Sequence, residues 1–117
     1  MKEYYVHIWV QNFHIRVWNS HEPTFNSKYD NGIYEFPIEH CKDRFHPTQK
    51  PLKLMETLIE KHSNEGEIVL DCFSGSCTTG MACINTSRKF VGCELSKDFY
   101  DKSMQRLNKN IGIRKFI

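Results

Sequence analysis

Hydrophobic and polar positions change period along the chain. From residue 4 to 18 they alternate: Tyr4, Val6, Ile8 and Val10 share one parity, and Phe13, Ile15 and Val17 resume after Gln11-Asn12. Period two with β-branched and aromatic residues predicts two strands joined by a Gln-Asn turn. Residues 19–31 are polar and predict a loop. Gly32 to Ile38 predicts a short extended segment, and Pro37 places it at an edge, because proline cannot donate to a ladder. From Pro51 the period becomes helical. Leu52, Met55, Leu58 and Ile59 share one face, Lys53, Glu56, Glu60 and Lys61 the other, and Pro51 suits a first turn. Ser63-Asn64-Glu65-Gly66 ends this helix.

Ile68-Val69-Leu70 predicts a buried strand. Thr79 to about Asn85 predicts a short helix carrying Met81, Ala82 and Ile84. Residues 89–95 predict a second strand. Ser96 is a credible N-cap with Asp98 in the first turn. Phe99, Tyr100, Met104 and Leu107 line the helix that follows, and Asn110 and Gly112 are expected to stop it. Strand, helix, strand is a βαβ unit, which builds parallel sheets. The expected fold class is therefore α/β: a parallel βαβ core over 46–117, with a β-rich extension over 1–45.

Composition narrows the class. The 117 residues suffice for one small domain, with 39% hydrophobic and 26% charged residues, ordinary for a globular chain. No apolar run approaches a membrane span, and no signal peptide is visible, so a cytoplasmic, membrane-free chain is expected. The net charge of +2 is too small to demand a polyanion. Lys102, Arg106, Lys109, Arg114 and Lys115 form an acid-free basic series that reads as a solvated helix face or as a phosphate contact. The five cysteines, at 41, 72, 77, 83 and 93, include no Cys-x-x-Cys pair. They are expected to be reduced and packed like small hydrophobes, without zinc and without a nucleophilic role. His40 beside Cys41 is a weak metal signal, and no metal site is expected.

The chemistry concentrates in Val69-Leu70-Asp71-Cys72-Phe73-Ser74-Gly75-Ser76-Cys77-Thr78-Thr79-Gly80. An apolar strand ends at an acid, a turn of small residues follows, and then a helix. This geometry brings backbone close to a nucleotide-like ligand. Gly75 and its small neighbours permit that approach, and Gly80 lets the helix pack on the strand. Glu94 follows the second strand, 94 − 71 = 23 residues after Asp71. That is near the roughly 20-residue offset at which an acid meets a ribose diol.

Upstream stands His46-Pro47-Thr48-Gln49-Lys50-Pro51. In this order the two elements resemble the cofactor half of the permuted, β-class DNA amino-methyltransferases, over roughly Tyr34 to Leu107. The resemblance implies a partial Rossmann-like fold and S-adenosylmethionine as cofactor. It implies a cradle of Thr48, Gln49, Lys50, Asp71, Phe73, Gly75, Ser76, Thr78, Thr79, Glu94 and Leu95. Thr48 and Gln49 would offer hydrogen bonds, and Lys50 a cation for the cofactor carboxylate. The partner implied is double-stranded DNA with a flipped target base, adenine more than cytosine.

Two departures stand out. Cys72 and Cys77 occupy positions where the family usually has proline and glycine. The Asp- or Asn-Pro-Pro-Tyr-type tetrapeptide that clamps the target amine is missing: the four prolines, at 23, 37, 47 and 51, never adjoin. The expectation is the C-terminal portion of a methyltransferase, with no catalytic residue of its own. The clamp would come from a second chain or another segment. The rival expectation is a non-catalytic remnant or regulatory module that binds cofactor or a partner; a dehydrogenase is a distant third.

Overall fold

A computed structural model describes the backbone of residues 4–10, 13–19, 24–28, 31–37 and 44–114. The order is β1 (Tyr4–Val10), β2 (Phe13–Asn19), α1 (Leu52–His62), β3 (Ile68–Asp71), α2 (Thr78–Asn85), β4 (Lys89–Gly92) and α3 (Lys97–Arg114). The alternating N-terminal segment forms an antiparallel pair with Tyr4 opposite Asn19 and Val10 opposite Phe13. The two expected strands are present; the Gln11-Asn12 turn lies outside the described residues. The pair forms a sheet of its own. β3 and β4 form the expected parallel pair, Ile68 opposite Lys89 and Asp71 opposite Gly92.

The core lies on one face of that pair. Leu54, Met55, Leu58 and Ile59 of α1 pack with Ala82 and Cys83 of α2, and Val69, Phe90, Tyr34 and Phe36 close around them. α1 follows Pro51, whose φ of −59° suits a helix entry, and its first bond runs from Met55 N–H to Pro51 O, 3.3 Å. Its C-terminus is tied down by Asn26. The Asn26 N–H donates to Lys61 O at 2.8 Å, and the side-chain amide donates to Glu60 O and Ser63 O, both 2.9 Å. These bonds satisfy last-turn carbonyls that the helix itself leaves open. α2 ends with Ser87 in the left-handed region (φ 62°) and Arg88 N–H donating to Cys83 O at 2.8 Å, the longer bond of a Schellman closure.

Three expectations are corrected. The segment 31–37 carries no strand; Tyr34 and Phe36 instead lay their rings on the α1 core, so its alternation serves packing rather than a ladder. β3 is not buried on both faces. Val69 points into the core, while Ile68 is 66% and Leu70 52% exposed, because strand alternation sends them to the face away from α1 and α2. Asn110 and Gly112 do not stop α3, which continues to Arg114. Asn110 donates its amide to Arg106 O at 2.8 Å and so stays compatible with the helix. A glycine near a helix end costs only about 1 kcal/mol.

His40, Cys41 and Lys115 lie outside the described residues, as does the side chain of Arg114. Among the described residues no helix is long and apolar enough to cross a membrane.

Candidate cofactor-binding site

The site is the strand-end turn between β3 and α2, braced by three other elements. Asp71 closes β3 and is buried. One carboxylate oxygen accepts the Phe73 N–H at 3.0 Å and the other the Thr79 hydroxyl at 2.6 Å. The carboxylate thus staples the start of the turn to the first turn of α2, and both of its oxygens already hold donors of this chain. Ser74 N–H donates to Cys93 O at 2.9 Å, tying the turn to the strand-end residue after β4.

Gly75 and Cys77 turn the chain with positive φ, 51° and 57°. For Gly75 this is unstrained. For Cys77, the residue just ahead of α2, a side chain in the left-handed region costs about 1 kcal/mol. Burial of Cys77, 3% exposed, supplies compensating packing and pushes its thiol up to about 11. Burial pushes Cys83 up to about 12. Both stay protonated near neutrality, which leaves neither as a nucleophile. Gly80 permits the close approach that its place in the turn suggests: a Cβ there would stand 2.6 Å from Cys77 Sγ and 3.0 Å from the Phe90 ring.

Glu94 reaches across from the end of β4. One carboxylate oxygen accepts Gly75 N–H and the other Ser96 N–H, each at 2.8 Å. A carboxylate has about four lone-pair sites, so Glu94 sets the turn and the start of α3 and keeps acceptor capacity for hydroxyl donors.

The second motif arrives through His46. Its Nδ1 accepts Thr48 N–H at 3.2 Å and lies 3.1 Å from the Thr48 hydroxyl. That leaves the proton of the neutral ring on Nε2. Nε2 lies 3.5 Å from where a Cβ on Gly75 would stand, and the ring packs on Phe99 with centroids 4.3 Å apart. The histidine therefore carries its loop against the glycine turn. Among the described residues Gln49 Oε1 is buried with no hydrogen-bond partner, an acceptor that fits a ligand's N–H or O–H donor. Lys50 is half-buried beside it in the chain.

The candidate residues fall into three groups. Thr48, Gln49 and Lys50 stand on the His46 loop. Phe73, 84% exposed, and Leu95, fully exposed, offer apolar surface on either side of the turn and Glu94. Ser76, Thr78 and Thr79 are buried and spend their hydroxyls internally, Ser76 against Thr78 at 3.1 Å and Thr79 on Asp71. With Asp71 they shape the backbone. A cavity of about 220 Å³ lies behind the turn, between Phe90 and Gly92 on one side and Tyr100, Ser103 and Met104 of α3 on the other, with Glu94 among its walls.

Two residues of the site carry no sequence signal. Ser103 Oγ donates to Gly75 O at 2.7 Å, and Arg106 Nη1 donates to Ser76 O at 2.9 Å and to Thr78 Oγ1 at 3.2 Å. They lie 28 and 30 residues beyond their backbone acceptors, on a helix face that periodicity marks only as polar. The finding revises the basic series. Arg106 serves the turn, and Lys102 pairs with Asp98 at 2.7 Å, so neither stands free for phosphates.

The family model described as DNA methylase matches residues 3–105. The DNA adenine methyltransferase YhdJ of Escherichia coli is 38% identical over 93 residues, covering 77% of this chain and 32% of that protein. The orphan methyltransferase M.BamHII of Bacillus amyloliquefaciens is 43% identical over 90 residues, 72% of this chain and 34% of that protein. The crystal structure of the M1.HpyAVI-SAM complex superposes with a TM-score of 0.65 at 39% identity, covering 79% of this chain and 46% of that one. This agrees with a Rossmann-like methyltransferase fold. The chain spans about a third of the length of these two curated relatives.

Proposed function

The chain belongs to the DNA methylase family, and on that premise we propose that it is the S-adenosylmethionine-binding C-terminal part of a site-specific DNA methyltransferase. The substrate is an exocyclic base amine, adenine in preference to cytosine; the name of the YhdJ relative, a DNA adenine methyltransferase, supports adenine. The observation that carries the proposal is the convergence of the His46 loop, the Gly75 turn and Glu94 on one point. The open acceptor of Gln49 and the remaining lone pairs of Glu94 suit a ligand that carries an ammonium and a ribose.

When bound, S-adenosylmethionine supplies a sulfonium methyl open to in-line attack by an amine. This chain's residues bind and orient. Glu94 offers its remaining lone pairs to the ribose hydroxyls, Phe73 and Leu95 offer apolar surface to the adenine ring, and Gln49 and Lys50 meet the methionine end. Holding both reactants in near-attack geometry is the main contribution such a site makes to rate. The amine clamp comes from a segment or second chain carrying the Pro-Pro tetrapeptide, and DNA is engaged with its target base flipped out of the stack. The alternative, a non-catalytic binding module, is favoured only by the missing tetrapeptide and by Cys77.

Calorimetry with S-adenosylhomocysteine tests the binding step. One site is expected. Glu94→Ala, which removes a charged acceptor, should weaken it roughly tenfold or more, with Glu94→Gln intermediate. A folded wild-type chain giving no heat at millimolar ligand overturns the reading. With labelled S-adenosylmethionine and unmethylated DNA, the chain alone should transfer nothing above background, and a segment bearing the tetrapeptide should restore transfer. Turnover by the chain alone would show that the clamp lies within it.

A further inference from the structure

β3 and β4 pair in parallel register, Leu70 opposite Val91 and Asp71 opposite Gly92. Cys72 and Cys93 are the residues that follow this last paired position, just past the ends of β3 and β4. One backbone bond still links the two segments there: Cys93 N–H donates to Asp71 O at 2.9 Å. Beyond it the pattern breaks: Phe73 N–H turns to the Asp71 carboxylate, and Ser74 N–H takes up Cys93 O instead. Continuing the strand alternation by one residue carries Cys72 to the side of Ile68 and Leu70, and Cys93 to the side of Val91. That face is exposed, and both cysteines are free and exposed. Adjacent strands lie about 4.8 Å apart, within the roughly 4.4–6.8 Å Cα separation that a disulfide spans. The other two described thiols, Cys77 and Cys83, are buried and protonated, so exchange with a solute begins at the exposed pair.

We propose that Cys72 and Cys93 are a thiol–disulfide exchange site. The pair reacts with low-molecular-weight disulfides, of which glutathione disulfide is the type, and closes into a cross-strand bond at the mouth of the Gly75 turn. The thiolate of one cysteine attacks a sulfur of the small disulfide, forming a mixed disulfide and expelling one glutathione thiolate. The second cysteine, as thiolate, then attacks the protein-side sulfur of that mixed disulfide and expels the other. Two protein thiols are oxidised, one disulfide is reduced to two thiols, and the two protons leave with the glutathiones. Cys72 directly precedes Phe73, and Cys93 directly precedes Glu94. Drawing the two strand ends into disulfide geometry therefore displaces the residues assigned above to the cofactor. This consequence rests on the proposed function; the chemistry of the pair does not.

Wild type, Cys72→Ser, Cys93→Ser and the double variant are treated with glutathione disulfide, acid-quenched, alkylated and digested without reductant for mass spectrometry. Wild type should yield the peptide bearing Cys93 joined to the peptide bearing Cys72, with fragmentation placing the bond on Cys72 and no glutathione retained. Each single variant should stop at one retained glutathione. A stable glutathione adduct on wild type, a bond between two chains, or a bond through Cys77 or Cys83 overturns the proposal. Oxidised wild type should bind S-adenosylhomocysteine at least tenfold more weakly than reduced wild type, with dithiothreitol restoring affinity and the double variant unaffected. A cross-link with unchanged affinity overturns the coupling to the site. If reduced and oxidised chains both fail to bind, the cofactor reading falls, while the cross-link still decides the exchange site.

Discussion

Cys77 and Gly80 form one steric unit. Cys77 accepts a left-handed backbone, and its sulfur fills the space a Cβ at Gly80 would need. Gly80→Ala should therefore destabilise the chain by about 1–3 kcal/mol, the usual cost of overpacking, although alanine is the better helix former. Cys77→Gly relieves about 1 kcal/mol of backbone strain and gives up the packing of a buried thiol, so its net effect on stability should be small. In the Cys77→Gly background the penalty for Gly80→Ala should fall, leaving only the contact with Phe90. Denaturant unfolding of the two single variants and the double variant measures this coupling; additive values would show that the sulfur yields freely. The sequence already marked Cys77 as the odd residue of the turn, but its φ and its sulfur's neighbour became visible only in three dimensions.

α3 acts on the site from a distance. Ser103 and Arg106 hold the carbonyls of Gly75 and Ser76 from behind, so the turn's shape depends on the helix being docked. Arg106→Ala should leave helix content unchanged by circular dichroism and weaken S-adenosylhomocysteine binding about three- to tenfold, comparable to one charged hydrogen bond. Arg106→Lys, which loses the guanidinium fork, should fall between. Global unfolding of Arg106→Ala would reduce the arginine to a packing residue. Periodicity places α3 well at its start, with Ser96 accepting Tyr100 N–H at 2.9 Å through its carbonyl, and badly at its end. Capping signals such as Asn110 and Gly112 are weak priors that continuing helical bonds override.

At the scale of the molecule, helices α1 and α2 cover one face of the parallel pair and leave Ile68, Leu70 and Val91 exposed on the other. Parallel sheets are normally covered on both faces, and contiguous exposed apolar surface promotes association. The chain should therefore self-associate with rising concentration in sedimentation velocity, and Leu70→Ser should shift it toward monomer without loss of fold. A monomer at high concentration would show that the exposed face is too small to drive association.

The chain's local patterns were sufficient for the β1–β2 pairing, the α1 face and the βαβ order, because each rests on neighbours within a few turns or on small residues where backbone must come close. The turn itself, an acid ending β3 followed by Gly75 and Gly80, was legible for the same reason. Tertiary structure decided what depends on meetings across long loops. His46 against Gly75, Ser103 and Arg106 behind the turn, and Glu94 serving two backbone donors all follow from how elements dock, and no period encodes them. It also decided that β3 buries one face only, since an apolar run states a residue's preference for burial, and only the packing of α1 and α2 determines which side receives it.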